Sequence, residues 1–300
     1  MICLGSLQVE ARISERIHHS LEGYSGSLAL QSFGGVRELS LLCRRPAIAS
    51  KHKTMSQNII HYGVLTMKKR EAQSELHRNL ERYGPRHPDV GKSYHKLGLL
   101  YLLTEKYNDA LSHLENSIRI YTNAMGVKHP DVSSSLMLKG LAQLALERFD
   151  DSMASMLRVR SLREDTLGHK HPELGQILNN LACVQYELGD YRKAESLFQE
   201  ALDLQRETFT NDSAFLTVVS KVLFNSAFLH AKSGSFSKAL IELEGALQIR
   251  KDILFEDNSL DDIFYNMAHI LAIQKLQHGA SNLKEITDEY IAMLRTSRIH

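Results

Sequence analysis

The chain has 300 residues, 43% hydrophobic and 24% charged, with 36 Lys+Arg against 35 Asp+Glu for a formal net charge of +1. That balance supplies no global field of the kind that draws a protein to nucleic acid or to a membrane surface. The three cysteines, Cys3, Cys43 and Cys183, form no CxxC pair and no even framework, which suits a reducing compartment rather than a disulfide scaffold.

Residues 1–56 hold Gly-Ser clusters (Tyr24-Ser25-Gly26-Ser27, Phe33-Gly34-Gly35) and only short apolar stretches, so a weakly ordered segment is expected there. Its first residues lack a basic region followed by a sustained apolar run, and Glu10, Glu15 and Glu22 stand among the arginines. Neither a secretory signal nor a mitochondrial leader is read from that pattern. No apolar run in the chain approaches the roughly 18–20 residues of a membrane helix. The expected location is cytoplasmic. Residues 57–84 are predicted to form a leading helix that stops at Gly84.

From there the sequence repeats itself. His87-Pro88-Asp89-Val90, His129-Pro130-Asp131-Val132 and His171-Pro172-Glu173-Leu174 recur at a period of 42. Gly84, Gly126 and Gly168 keep the same period, as do the small residues Gly98, Gly140 and Ala182 and the aromatics Tyr107, Phe149 and Tyr191. A fourth copy follows at a spacing of 45, with Ala227, Phe236, Ala239 and Ala246 matching Ala182, Tyr191, Ala194 and Ala201. A degenerate fifth begins near Tyr265. The units are drawn at 85–126, 127–168, 169–210 and 211–256, with a cap at 257–298.

Each unit reads as two antiparallel helices. In the third, Pro172 suits the first helical turn, and Glu173 complements the positive helix end. Leu174, Ile177, Leu181, Val184 and Leu188 then follow helical spacing. Gly189-Asp190 breaks the helix, and Tyr191 opens a second one whose apolar face is Ala194, Leu197, Phe198, Ala201 and Leu202. Small residues at 182, 194 and 201 allow helix axes to approach to about 8–10 Å. A single hairpin cannot bury its own apolar face, so copies must stack into an all-α superhelical solenoid with a concave side.

Three chemical signals are set aside. Asp89-Val90-Gly91-Lys92-Ser93 resembles the end of a P-loop, but Arg86 stands where that motif needs glycine, and the segment is predicted helical. His87, His129, His169 and His171 fall at loop-to-helix junctions, with no HExxH and no Cys/His zinc spacing, so they read as turn residues and no metal is assigned. No Ser/His/Asp or Cys/His set has a reason to converge, and Cys183 lies beside the packing residue Ala182. No catalytic residue and no cofactor are expected.

Leu167-Gly168, His171-Pro172, Leu178-Asn179-Asn180-Leu181-Ala182, Gly189-Asp190-Tyr191, Ala194-Glu195 and Ala201-Leu202 resemble the 42-residue tetratricopeptide repeat of kinesin light chains and their relatives. The resemblance covers residues 85–255 well and about 57–298 loosely; the family's long heptad coiled coil has no counterpart, since 65–84 is too short for it. It implies binding of a peptide or protein along a concave groove lined by the first helix of each unit. In such repeats the position two residues before the small residue often carries a groove-facing Asn. That position holds Lys96, Leu138, Asn180, Asn225 and Asn266, and one turn earlier come Lys92, Ser134, Gln176, Lys221 and Asp262. Residues four apart share a helix face, so Lys92/Lys96, Gln176/Asn180 and Lys221/Asn225 are expected to point the same way. An Asn amide can donate and accept together, which suits an extended backbone, and the lysines favour an acidic segment. Leu138 and Asp262 interrupt the ladder, which concentrates the expected site on the third and fourth units. The expectation is a non-catalytic adaptor for a protein partner; the alternative is a self-assembling or subunit-bridging array.

Overall fold

A computed structural model of the chain describes residues 55–208 and 213–253 and the helical positions 263, 266–268, 270, 271 and 291. The segment expected to be weakly ordered lies outside the described residues up to 54, as does most of the expected cap. The described elements are helices: α1 (Met55–Tyr83), α2 (Pro88–Leu103), α3 (Tyr107–Met125), α4 (Pro130–Ala145), α5 (Phe149–Leu167), α6 (Glu173–Glu187), α7 (Tyr191–Thr208), α8 (Ser213–Lys232) and α9 (Phe236–Ile253). They pair as α2/α3, α4/α5, α6/α7 and α8/α9, each second helix packs on the first helix of the next pair, and α1 packs on α2.

The recurring His-Pro dipeptide starts the first helices. The Asp89 and Asp131 amides donate to Nδ1 of His87 and His129 at 3.2 Å, and the Glu173 amide donates to His171 Nδ1 at 3.3 Å. The imidazole thus satisfies a backbone donor that the helix leaves open. Pro88 and Pro130 occupy the opening turn, where the missing N–H costs nothing.

The turn inside each hairpin also repeats. Lys106 donates to the Tyr101 carbonyl, Arg148 to Gln143 and Asp190 to Gln185, all at 2.9 Å, and Ser235 to His230 at 2.8 Å. This bond across five residues requires a left-handed residue just before the donor. Gly189 (φ 82°) and Gly234 (φ 78°) fill that position in the last two hairpins, but Glu105 (φ 59°) and Glu147 (φ 60°) fill it in the first two.

The helices of a hairpin meet at small residues. Ala110, Ser152, Ala194 and Ala239 are fully buried, as are Leu114, Met156, Phe198 and Leu243 one turn later. The facing glycines leave no spare room: a Cβ on Gly98 would lie 2.6 Å from Leu114 Cγ, and one on Gly140 would lie 2.9 Å from Met156 Cε. Leu114 Cγ is a branch point held by its neighbours, whereas Met156 Cε is the end of a flexible chain.

Two stability measurements follow from this geometry. Glu105→Gly relieves a left-handed conformation unfavourable to L-residues and should stabilise by about 0.5–1 kcal/mol after the glycine's own entropy loss. Calorimetry checks it: an unchanged or lower Tm would mean that the Glu105 side chain compensates its backbone. Gly98→Ala should lower the Tm, because overpacking destabilises the fold by about 1–3 kcal/mol, and Gly140→Ala should destabilise it clearly less. Equal losses would contradict the distinction between a fixed branch point and a mobile tip.

Candidate functional site

Successive first helices touch one another, α2 with α4 and α6 with α8, so they line the inner side of the stack. Polar bonds cross between them. His95 Nδ1 on α2 is 2.8 Å from Ser135 Oγ on α4; Ser135 is 3.1 Å from Ser117 Oγ, which donates to the Gly91 carbonyl at 2.9 Å. On the next pair, Asn225 Nδ2 on α8 donates to Asn179 Oδ1 on α6 at 2.9 Å.

The residues singled out from the ladder occupy different environments. Lys92 is exposed on α2. Lys96, four residues on, reaches Glu75 Oε2 of α1 at 2.7 Å and so ties the leading helix to the first unit. Gln176 is half-buried on α6. Asn180 is 8% exposed, and its Nδ2 is buried without a hydrogen-bond partner. Lys221 is half-buried on α8, and burial, reinforced by nearby Arg250, pushes its amine down to about 8. Asn225 is 3% exposed and engaged with Asn179. Asn266 is buried. Leu138, at the same register, is fully buried.

The fold thus brings Gln176, Asn180, Lys221 and Asn225 onto the neighbouring helices α6 and α8, while Lys92 and Lys96 sit two units away on α2. The interhelical partner Asn179, one residue from the ladder position, was not singled out by the repeat register. Its signal was the Asn179-Asn180 doublet itself. On the opposite side of α6, α5 and α7 bound a cleft lined by Leu174, Leu178 and Leu204, where Arg160 donates to Glu164 of its own helix at 2.7 Å and across to Glu200 of α7 at 2.8 Å. Among the described residues, no group of His, Cys, Asp and Glu is arranged to hold a metal ion, and no helix is long and apolar enough to cross a membrane.

The tetratricopeptide repeat family profile matches residues 64–123, 89–164 and 131–207, in register with the hairpins described above. Residues 64–207 carry tetratricopeptide repeats. Among solved structures it is similar to BtubC (BKLC) from P. vanneervenii, with a TM-score of 0.57 at 15% identity, covering 77% of this chain and 92% of that one. It is also similar to the kinesin light chain-like, nearly identical TPR-like repeats of Podosopora anserina. That likeness has a TM-score of 0.50 at 18% identity and covers 74% of this chain and 97% of that one. These structures share its repeat architecture. No curated protein sequence matches the chain. Tetratricopeptide repeats generally mediate protein–protein interaction and are typically non-catalytic.

His95 gives the inner side a defined acid response. Burial pushes its imidazole down to about 4, against the pull of Asp131. The unfolded ring takes its proton near 6.5. Between those values the unfolded state binds more protons, so the neutral ring's contribution is full above about pH 6.5 and is lost as pH falls through about 4. A shift of this size corresponds to at most about 3 kcal/mol. Thermal melts at neutral pH and near pH 4.5 should therefore show a smaller acid loss for His95→Gln than for wild type. Parallel losses would assign the acid sensitivity to other groups.

Proposed function

We propose that the chain is an adaptor that holds an acidic segment of a protein partner against the first helices of its third and fourth repeats, taken as 169–210 and 211–256. The observation that carries this reading is a pair of unmet polar groups on adjacent helices. Asn180 Nδ2 on α6 is a buried donor with no acceptor. Lys221 on α8 is a partly desolvated cation whose neighbouring charge is another cation, Arg250. An unsatisfied donor and a like-charged pair both cost stability when left alone. A carboxylate or a backbone carbonyl brought to α6 and α8 would offset both costs. Exposed and half-buried polar residues along the same helices, Lys92 and Gln176 among them, offer further contacts to an extended chain.

Asn225 has a different part in this reading. Its amide is already spent on Asn179, so it sets the spacing of α6 and α8 rather than meeting the partner. Lys96, paired with Glu75, likewise serves the array itself.

The test is affinity capture from cell extract followed by mass spectrometry, comparing wild type with Lys221→Glu and with Gln176→Ala, both partly exposed positions. Partners lost with Lys221→Glu and retained by a distant surface variant such as Lys128→Glu would support the site. Direct titration with a captured partner should then show roughly tenfold weaker binding for Lys221→Glu. Wild-type affinity should also fall as pH rises through about 8, where the free amine loses its proton. Unchanged capture together with a flat pH profile would remove α6 and α8 from the binding surface.

A further inference from the structure

The apolar core divides along α8, the first helix of the fourth repeat. One continuous cluster runs from Leu65 through Phe198, Ala201 and Leu204 and takes in Val218, Val222 and Leu229 of α8. A second cluster holds Phe224 and Ala227 of α8, Ala239, Leu243 and Ala246 of α9, and Ile263, Met267 and Ile270. Helix α8 turns a different face to each. The α8–α9 hairpin is coupled to the preceding repeats only through its neighbour, so the α7–α8 boundary is a joint of the array. Val218, Val222 and Leu229 of α8 carry apolar packing across this boundary, and two polar ties cross it as well. One tie is the Asn179–Asn225 bond, and the other is centred on His230.

His230 is buried near the end of α8, 5% exposed. Its Nδ1 is 2.6 Å from Glu242 Oε2 on α9, and its Nε2 is 3.3 Å from Glu195 Oε1 on α7. Lys238 Nζ on α9 donates to the same Glu195 oxygen at 3.0 Å, and Ser226 Oγ on α8 donates to Glu242 Oε1 at 3.1 Å. The other charged and titratable groups here are engaged among themselves: Lys232 of α8 lies over the rings of Tyr186 and Tyr191, and Asp190 pairs with Lys193. Glu187 ends α6.

A carboxylate only accepts hydrogen bonds. A neutral imidazole has one N–H to donate, and the imidazolium has two. Both contacts of His230 are therefore satisfied together only when the ring carries both protons. The node is then balanced, His230 and Lys238 against Glu195 and Glu242. Glu195 is suited to remain the charged partner, because hydrogen bonds from Lys238 and then from His230 hold its carboxyl below the usual range. With one proton gone, the ring keeps the shorter bond to Glu242, and a lone pair faces Glu195 in place of a donor.

We infer that His230 is a proton-dependent latch at the joint between the third and fourth repeats, closing α8 onto α7 when both ring nitrogens are protonated and releasing that contact when one is not. Closed, the latch joins α7, α8 and α9 through one side chain. Open, the α8–α9 hairpin is still held by Val218, Val222 and Leu229, by Asn225 and by the half-exposed Lys238–Glu195 pair. The latch stands independently of the binding site proposed above.

Hydrogen exchange of the full chain, read at about pH 6 and about pH 8.5 and corrected for intrinsic rates, tests the latch. Protection in α8 and α9 should fall roughly tenfold at the higher pH, the scale of one charge-assisted hydrogen bond, and protection in α2–α5 should hold. Glu195→Gln alters a half-exposed side chain and so leaves the core intact. In that variant the α8–α9 protection should be the same at both pH values and equal to the released level of wild type. His230→Gln should likewise lack the pH step. A wild type with no pH step at α8–α9, or a full step surviving in Glu195→Gln, would overturn the latch.

Discussion

Two helices can share a hairpin of this length only if their axes come close, and closeness is decided by a few atoms. Gly98, Gly140, Ala182 and Ala227 on the first helices meet Ala110, Ser152, Ala194 and Ala239 on the second, and the last four are fully buried. Any longer side chain at the crossing would push the axes apart. Once the axes are set, Leu114, Met156, Phe198 and Leu243 fill the space one turn further on. The second helix then presents its other side to the next unit, and the same contact is made again. The stacking of one unit on the next follows from that one spacing.

The repeat was legible because packing imposes the same demand every 42 residues, and the His-Pro starts, the glycine stops and the small crossing residues all answer to it. The left-handed turn position was legible only where glycine fills it: Glu105 and Glu147 adopt the same conformation with no signal in their side chains. The candidate site was legible only in part. Repeat register placed Asn180, Asn225 and Asn266 at one equivalent position, yet all three are buried, and fully buried Leu138 stands at the same register. Spacing tells which residues share a face, whereas the neighbouring helix decides how much of that face remains open. The residues that join one unit to the next (His95 with Ser135, Asn179 with Asn225, His230 with two glutamates) were not legible as such, because each pairing occurs at one junction and repetition cannot mark it.

Apolar contacts and polar ties therefore divide the labour. The apolar ones are similar between units, with Leu114, Met156, Phe198 and Leu243 filling equivalent places. The polar ones are local: a serine chain between the first and second units, an Asn pair and an imidazole node between the third and fourth. Each satisfies groups that would otherwise be stranded away from water, and each is lost if the wrong surface is offered.

That locality bears on how such a chain avoids tangling with itself. Units of nearly identical shape can dock out of order, or onto another molecule's units, while the chain is still being made, and this is a characteristic failure of repeat proteins. A misplaced fourth unit seated on the first would bury His230 against α3, where Leu111 stands at the register of Glu195. An imidazole stranded in that way would carry a desolvation cost of about 1–3 kcal/mol. The polar pairs thus act as address labels, rejecting wrong neighbours that the hydrophobic surfaces alone would accept.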